Sequence, residues 1–150
     1  MISVSFDRGA VRAMVSDASE RLDAAIQPAA SAGAKILYDQ VKRNVQTNVM
    51  SSTAGHWFHG TQFKVNGKKY WIEPATLQKS IYYVYSKDNS GAKKKVYHVG
   101  WNMQKAPYGF MVEFGTRKAP AHPFLNPAWS RRQDAEAAME AKLFEVMNDS

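Results

Sequence analysis

The chain has 150 residues, 45% of them hydrophobic, and 20 Lys and Arg against 13 Asp and Glu, a net charge of +7. This length and apolar content suit one core, so residues 1–150 are expected to form a single domain. The absence of cysteine excludes disulfide frameworks, thiolate catalysis and Cys-ligated metals. The longest apolar run, Ile81–Tyr85, falls far short of the about 20 residues of a membrane helix.

At the start, Ile2, Val4 and Phe6 alternate with Ser3 and Ser5, the period of a short strand or arm. Met1–Ala10 lacks the basic start and long apolar stretch of a signal peptide, so none is expected. Asp7 is placed to cap a helix. Val11, Met14, Val15, Ala18, Leu22, Ala25 and Ile26 then recur as one helical face. Pro28 interrupts the pattern, and the stripe resumes nearly in phase with Ala29, Gly33, Ile36, Leu37, Val41 and Val45. One long helix kinked at Pro28 is expected. The small residues Ala29, Ala30, Ala32, Gly33 and Ala34 would let another element approach closely, although helix propensity and core packing explain them equally well.

Asn48–Gly60 loses periodicity and reads as a loop. Asn66-Gly67, between Thr61–Val65 and Lys68–Ile72, is the dipeptide of a type I′ hairpin turn. Pairing outward puts Val65 opposite Lys68, Lys64 opposite Lys69 and Phe63 opposite Tyr70. Leu77–Ser86 is the strongest strand, apolar on both faces, which predicts a central place in the sheet. Lys95–Trp101 is expected to pair with it. Ala106–Gly115 reads as a short helix, with Pro107 near its start and Gly115 ending it, and a strand as the alternative. Asn126 is expected to cap the last helix, with Pro127 at its first position, and Trp129 through Met147 forming its body. The late acids Glu140, Glu145 and Asp149 oppose the helix dipole and predict a frayed end. The sum is an α+β fold: long kinked N-terminal helix, antiparallel β-sheet with hairpins, short helix and C-terminal helix.

The charge is uneven. Positive and negative residues number six and five in 1–50, eight and two in 51–100, and six and six in 101–150. All eight cations of the middle third are lysines, which suit solvated, long-range attraction to a polyanion or an acidic protein. Lys64, Lys69, Trp71, Lys93, Lys94 and Lys95 are the candidate interaction surface. The plainer account is that they keep hairpin tips soluble.

No constellation argues for catalysis. His56 and His59 have a spacing that binds metal on a helix, but they lie in a Gly/Ser-rich stretch with no acid nearby. His98 sits mid-strand and His122 lies between Ala121 and Pro123, where ordinary hydrogen-bonding roles suffice. No catalytic or phosphate-binding motif occurs, so neither metal nor other cofactor is expected.

Pro107–Ala128 reads PYGFMVEFGTRKAPAHPFLNPA. This segment resembles the signature of the neck, or tail-completion, proteins that join head and tail in long-tailed bacteriophages. The matching positions are Tyr108, Val112, Glu113, Phe114, Gly115, Thr116, Pro120, Pro123, Phe124, Leu125, Pro127 and Ala128. Thr53–Gly55, Leu77–Ile81 and Val96–Gly100 match more loosely. The family's counterparts of Thr53–Gly55 and Leu77–Ile81 lie close together, whereas here an inserted hairpin around residues 56–74 separates them. The resemblance implies a non-enzymatic virion protein, assembled in the host bacterial cytoplasm into a homo-oligomeric ring, a hexamer or dodecamer, at the head–tail interface. Its partners would be the head-closure or connector protein, the tail-terminator or tail-tube protein, and the phage DNA passing through the lumen, with no membrane. Hairpins and the Met1–Phe6 arm would reach a neighbour or the adjacent ring, with strand addition as one route.

On its own chemistry the segment reads as scaffold. Gly115 is expected to take positive φ, Pro120 and Pro123 to keep the chain extended, and Phe124 and Leu125 to enter the core. Glu113 is open to three readings: an ion pair with a neighbouring subunit, a pair with Arg117 or Lys118, or exposure on a helix. The alternative function is a basic nucleic-acid-binding domain using the lysine-rich hairpins with Tyr70, Trp71 and Tyr83. A remoter one is a metal-dependent hydrolase built on His56 and His59.

Overall fold

A computed structural model describes residues 1–7, 19–50, 61–72 and 74–149. The front of the predicted helical face (Val11, Met14, Val15, Ala18) and the pair His56 and His59 lie outside the described residues. The fold is α+β. Its elements are β1 (Ile2–Asp7), α1 (Ser19–Asn44) continuing into a π-helical turn (Val45–Met50), β2 (Thr61–Val65), β3 (Lys68–Ile72), α2 (Thr76–Lys79), β4 (Ile81–Tyr85), β5 (Lys94–Trp101), α3 (Gly109–Phe114), a 3₁₀ turn (Asn126–Arg131) and α4 (Arg132–Asn148). The chain divides into two compact units. One comprises Met1–Tyr38, Tyr83–Val99 and Ser130–Ser150; the other comprises Asp39–Tyr82 and Gly100–Trp129.

α1 runs through Pro28 as one helix, and its apolar stripe is buried from Leu22 through Leu37 and Val41 to Val45 and Val49. The alternation in the first residues is that of a strand with one face inward, since Ile2 and Val4 are buried. β1 is no free arm, however. It pairs antiparallel with β5 of its own chain, Ile2 opposite Val99 and Ser3 opposite His98. As an edge strand it turns alternate backbone groups to β5 and the others outward.

The sheet order is β1-β5-β4, so β5 is central and β4 is an edge, contrary to the expectation for Leu77–Ser86. Apolar residues on both faces did not specify two neighbours. Val84 stays exposed on β4, whereas Val96, Tyr97, Val99 and Trp101 of β5 are buried. β4 and β5 run antiparallel, with Ser86 N–H donating to Val96 O at 2.8 Å and Asn102 N–H to Ser80 O at 2.9 Å. The start of the predicted strand is also shifted. Leu77 to Lys79 form the helical turn α2, closed by Ser80 Oγ donating to Leu77 O at 2.6 Å.

In the first unit, aromatic rings link helix and strands: Tyr38 and Tyr83 are 5.0 Å apart, and Tyr83 and Tyr85 stand 6.3 and 5.6 Å from Tyr97. α4 packs where α1 has no side chain. A Cβ on Gly33 would stand 2.6 Å from Met139 Cγ, so the small-residue cluster does admit a close neighbour. Gly33→Ala should gain about 1 kcal/mol in helix propensity but lose more to overpacking, for a net loss of roughly 1 kcal/mol. On a Met139→Ala background the same change should be neutral or stabilising. Urea unfolding of the four variants measures the difference.

The β2–β3 hairpin forms a separate two-stranded sheet with the expected register: Val65 opposite Lys68, Lys64 opposite Lys69, Phe63 opposite Tyr70. Asn66 and Gly67 have φ of 50° and 82°, the pair of positive values a type I′ turn requires. The final helix starts later than expected, at Arg132, because Asn126–Arg131 form a tighter 3₁₀ turn. Its end remains helical to Asn148, with Asp149 N–H on Glu145 O at 3.1 Å.

Candidate functional site

The segment 106–128 lies wholly in the second unit. α3 starts at Gly109, two residues beyond Pro107, and Gly115 ends it by donating its N–H to Met111 O at 2.8 Å. Gly115 has φ 76° and ψ 175°, so φ is positive as expected, but the residue is not in the ordinary left-handed helical well. A tight turn follows. Thr116 N–H donates to Ala119 O at 2.9 Å, and Thr116 Oγ1 accepts from Lys118 and Ala119 N–H at 3.3 and 3.1 Å. His122 N–H then donates to Val112 O at 2.8 Å, and the chain has doubled back along α3.

This return lays the backbone of Phe124–Asn126 over the Glu113 carboxylate. Oε2 accepts the N–H of Phe124 at 2.7 Å and of Leu125 at 2.9 Å, while Oε1 accepts that of Asn126 at 2.8 Å. Glu113 is 2% exposed. Two readings of this residue from sequence are therefore corrected, the pair with Arg117 or Lys118 and exposure on a helix. The carboxylate pairs with neither Arg117 nor Lys118 and is not on the surface; its three hydrogen bonds are made within its own chain. Burying a carboxylate is costly, but charge-assisted hydrogen bonds from three successive amides offset that cost. They also occupy the amides that open the 3₁₀ turn, so Glu113 takes the capping role expected of Asn126.

The carbonyls of the same segment have their own partners. Asn44 Nδ2 donates to Phe124 O at 3.0 Å and Asn48 Nδ2 to Pro123 O at 2.9 Å, while Gln40 Nε2 steadies Asn44 Oδ1 at 2.8 Å. Reading the sequence missed Asn44 and Asn48. The signal was present: amides at 40, 44 and 48 recur every four residues, and Asn44 interrupts the apolar face between Val41 and Val45.

Phe124 and Leu125 enter the core as expected, and the Trp101 and Phe124 rings meet edge-on at 5.4 Å. Tyr108, Val112 and Ala128 are also buried. Pro123 and Pro127 are half-buried, and Thr116 and Pro120 are exposed. Phe114 points outward, 57% exposed, with Phe110 at 56% and Met111 at 43%; the two phenyl rings lie 4.9 Å apart.

Burial pushes the Tyr108 hydroxyl up from 10.0 to about 12, against a smaller lowering by the Leu77 backbone. The neutral phenol is thus the form favoured by folding. Its contribution is complete below pH 10 and is lost as pH rises towards 12, by up to about 1.4 kcal/mol per pH unit. Tyr108→Phe should flatten that part of the stability curve, read by urea unfolding across the alkaline range.

The candidate lysines fall in different units. Lys69 is exposed in the second, as are Trp71 of the same candidate surface and the neighbouring Lys68. In the first, Lys93 and Lys94 are exposed, and Lys95 Nζ sits 6.0 Å over the Tyr85 ring. Lys64 is placed by register alone, opposite Lys69. His98 is held between Ser3 Oγ at 2.7 Å and Asn89 Nδ2 at 3.4 Å. Among the described residues no group of three His, Cys, Asp or Glu is arranged to hold a metal, and no helix is long and apolar enough to cross a membrane. Comparison with protein-family models, curated proteins and solved structures gave no match.

Proposed function

We propose that this chain is a non-enzymatic structural protein of the head–tail junction of a long-tailed bacteriophage, acting as a ring that joins the capsid connector to the tail and lets DNA pass. The observation that carries the reading is the interlocking of the segment that resembles the family signature. Tyr108, Val112, Glu113, Phe124, Leu125 and Ala128 build one buried unit, and the turn at Gly115 and Thr116 closes it. Its hydrogen bonds to Glu113, Asn44 and Asn48 hold the backbone of residues 123–126 in place.

Function on this reading is docking. The clamp holds α3 rigid, and α3 turns Phe110, Met111 and Phe114 outward. Apolar side chains on a rigid element are suited to burial against another subunit, because little side-chain and backbone freedom remains to be lost. One surface meeting a different surface on the next copy closes into a ring when the rotation permits.

Electron microscopy of the purified protein, alone and with the connector and tail proteins of the same phage, tests this, together with mass spectrometry of mature particles. Rings on the head–tail axis and the chain's presence in particles are expected. Absence from particles, or turnover of a small compound by the purified protein, overturns the reading.

A further inference from the structure

We infer that the β2–β3 ribbon is a binding surface for single-stranded nucleic acid, with lysines holding backbone phosphates and Trp71 stacking on a base. Thr61–Ile72 contains three lysines and no carboxylate. Its register sets Lys64 directly opposite Lys69 and places Lys68 at the turn. A two-residue turn closes on a hydrogen-bonded pair, Val65 and Lys68. The next pair outward, Lys64 and Lys69, is therefore of the non-hydrogen-bonded kind, in which the two backbones come closest together. Like charges so placed weaken a free ribbon. A polyanion converts the same arrangement into attraction.

The aromatic residue selects among polyanions. Trp71 follows Lys69 by two positions on one strand, so the two share a face of the ribbon, with Gln62 opposite Trp71. Both Lys69 and Gln62 are exposed, and Trp71 is 61% exposed. A cation beside an open indole is the combination that binds unpaired strands without sequence preference: the cation follows the phosphates and the ring accepts any base. A duplex keeps its base faces covered, and an acidic protein surface would engage the lysines while leaving the indole unused. The inference is independent of the head–tail reading.

The test is fluorescence anisotropy of the full chain with a labelled oligothymidylate of about 16 nucleotides, a duplex of equal length, and polyglutamate as competitor, over a range of NaCl. Preferential binding of the oligothymidylate is expected, with log affinity falling against log salt by about 0.7 per phosphate engaged. Lys69→Gln should reduce that slope by about 0.7. Trp71→Ala should weaken binding roughly five- to a hundredfold with the slope unchanged, and Trp71→Phe should restore most of it. Quenching of tryptophan emission by the oligothymidylate should vanish in Trp71→Phe, a readout that needs no loss of affinity. No binding at low salt overturns the inference, as does a preference for duplex, or displacement by polyglutamate with no effect of Trp71→Ala. None of these results bears on whether the chain is found in phage particles.

Discussion

Replacing Glu113 with alanine should lower the free energy of unfolding by about 4 kcal/mol, because a buried donor left without an acceptor costs about 1–3 kcal/mol and three amides lose theirs together. The N–H groups of Phe124 and Leu125 are buried and that of Asn126 is partly so. Glu113→Gln keeps the volume but offers one acceptor oxygen and turns an NH₂ group towards amides, so a loss of about 2 kcal/mol is expected. Urea unfolding followed by far-ultraviolet circular dichroism gives both values. The result separates the clamp from a surface ion pair, whose removal typically costs less than about 1 kcal/mol. A loss that small for Glu113→Ala would remove the clamp from the account.

Gly115→Val should cost about 3 kcal/mol or more, from two sources that add. Its φ of 76° with ψ of 175° lies where almost only glycine goes, and other residues pay about 1–3 kcal/mol there. A Cβ at this position would also stand 2.8 Å from Ala121 N and 3.1 Å from Ala119 O. Both are backbone atoms of the turn that aims Phe124–Asn126 at Glu113, so neither can swing aside as a side chain does. The second source makes a further prediction. Gly115→Asn should be nearly as harmful as Gly115→Ala, although asparagine tolerates ordinary left-handed positions well. Thermal unfolding of the three variants decides it, and rescue by asparagine would show that only φ matters here.

The features that were legible in the sequence are those set by near neighbours in the chain. The hairpin register followed from Asn66-Gly67, since a two-residue turn with two positive φ angles admits one pairing. The buried face of α1 followed from residues three and four apart, and the close approach at Gly33 from missing side-chain volume. Positive φ at Gly115 and the burial of Phe124 and Leu125 were equally readable, the first from steric freedom and the others from apolar character next to a turn.

Other features depended on who meets whom. The composition of β4 shows that both its faces are apolar, but strand order depends on which strand captures β1, and that strand is β5. Glu113 looked like a surface acid because its donors lie 11 to 13 residues ahead, reached only after the turn reverses the chain. Asn44 was likewise hidden: its partner, the carbonyl of Phe124, is 80 residues away. The sequence by itself determined local geometry and which faces are buried, because backbone sterics and side-chain periodicity act over a few residues. Only the tertiary structure decided strand order and the role of the buried Glu113. Each buried amide and carbonyl must find a partner, and that partner is set by position in space rather than in the chain.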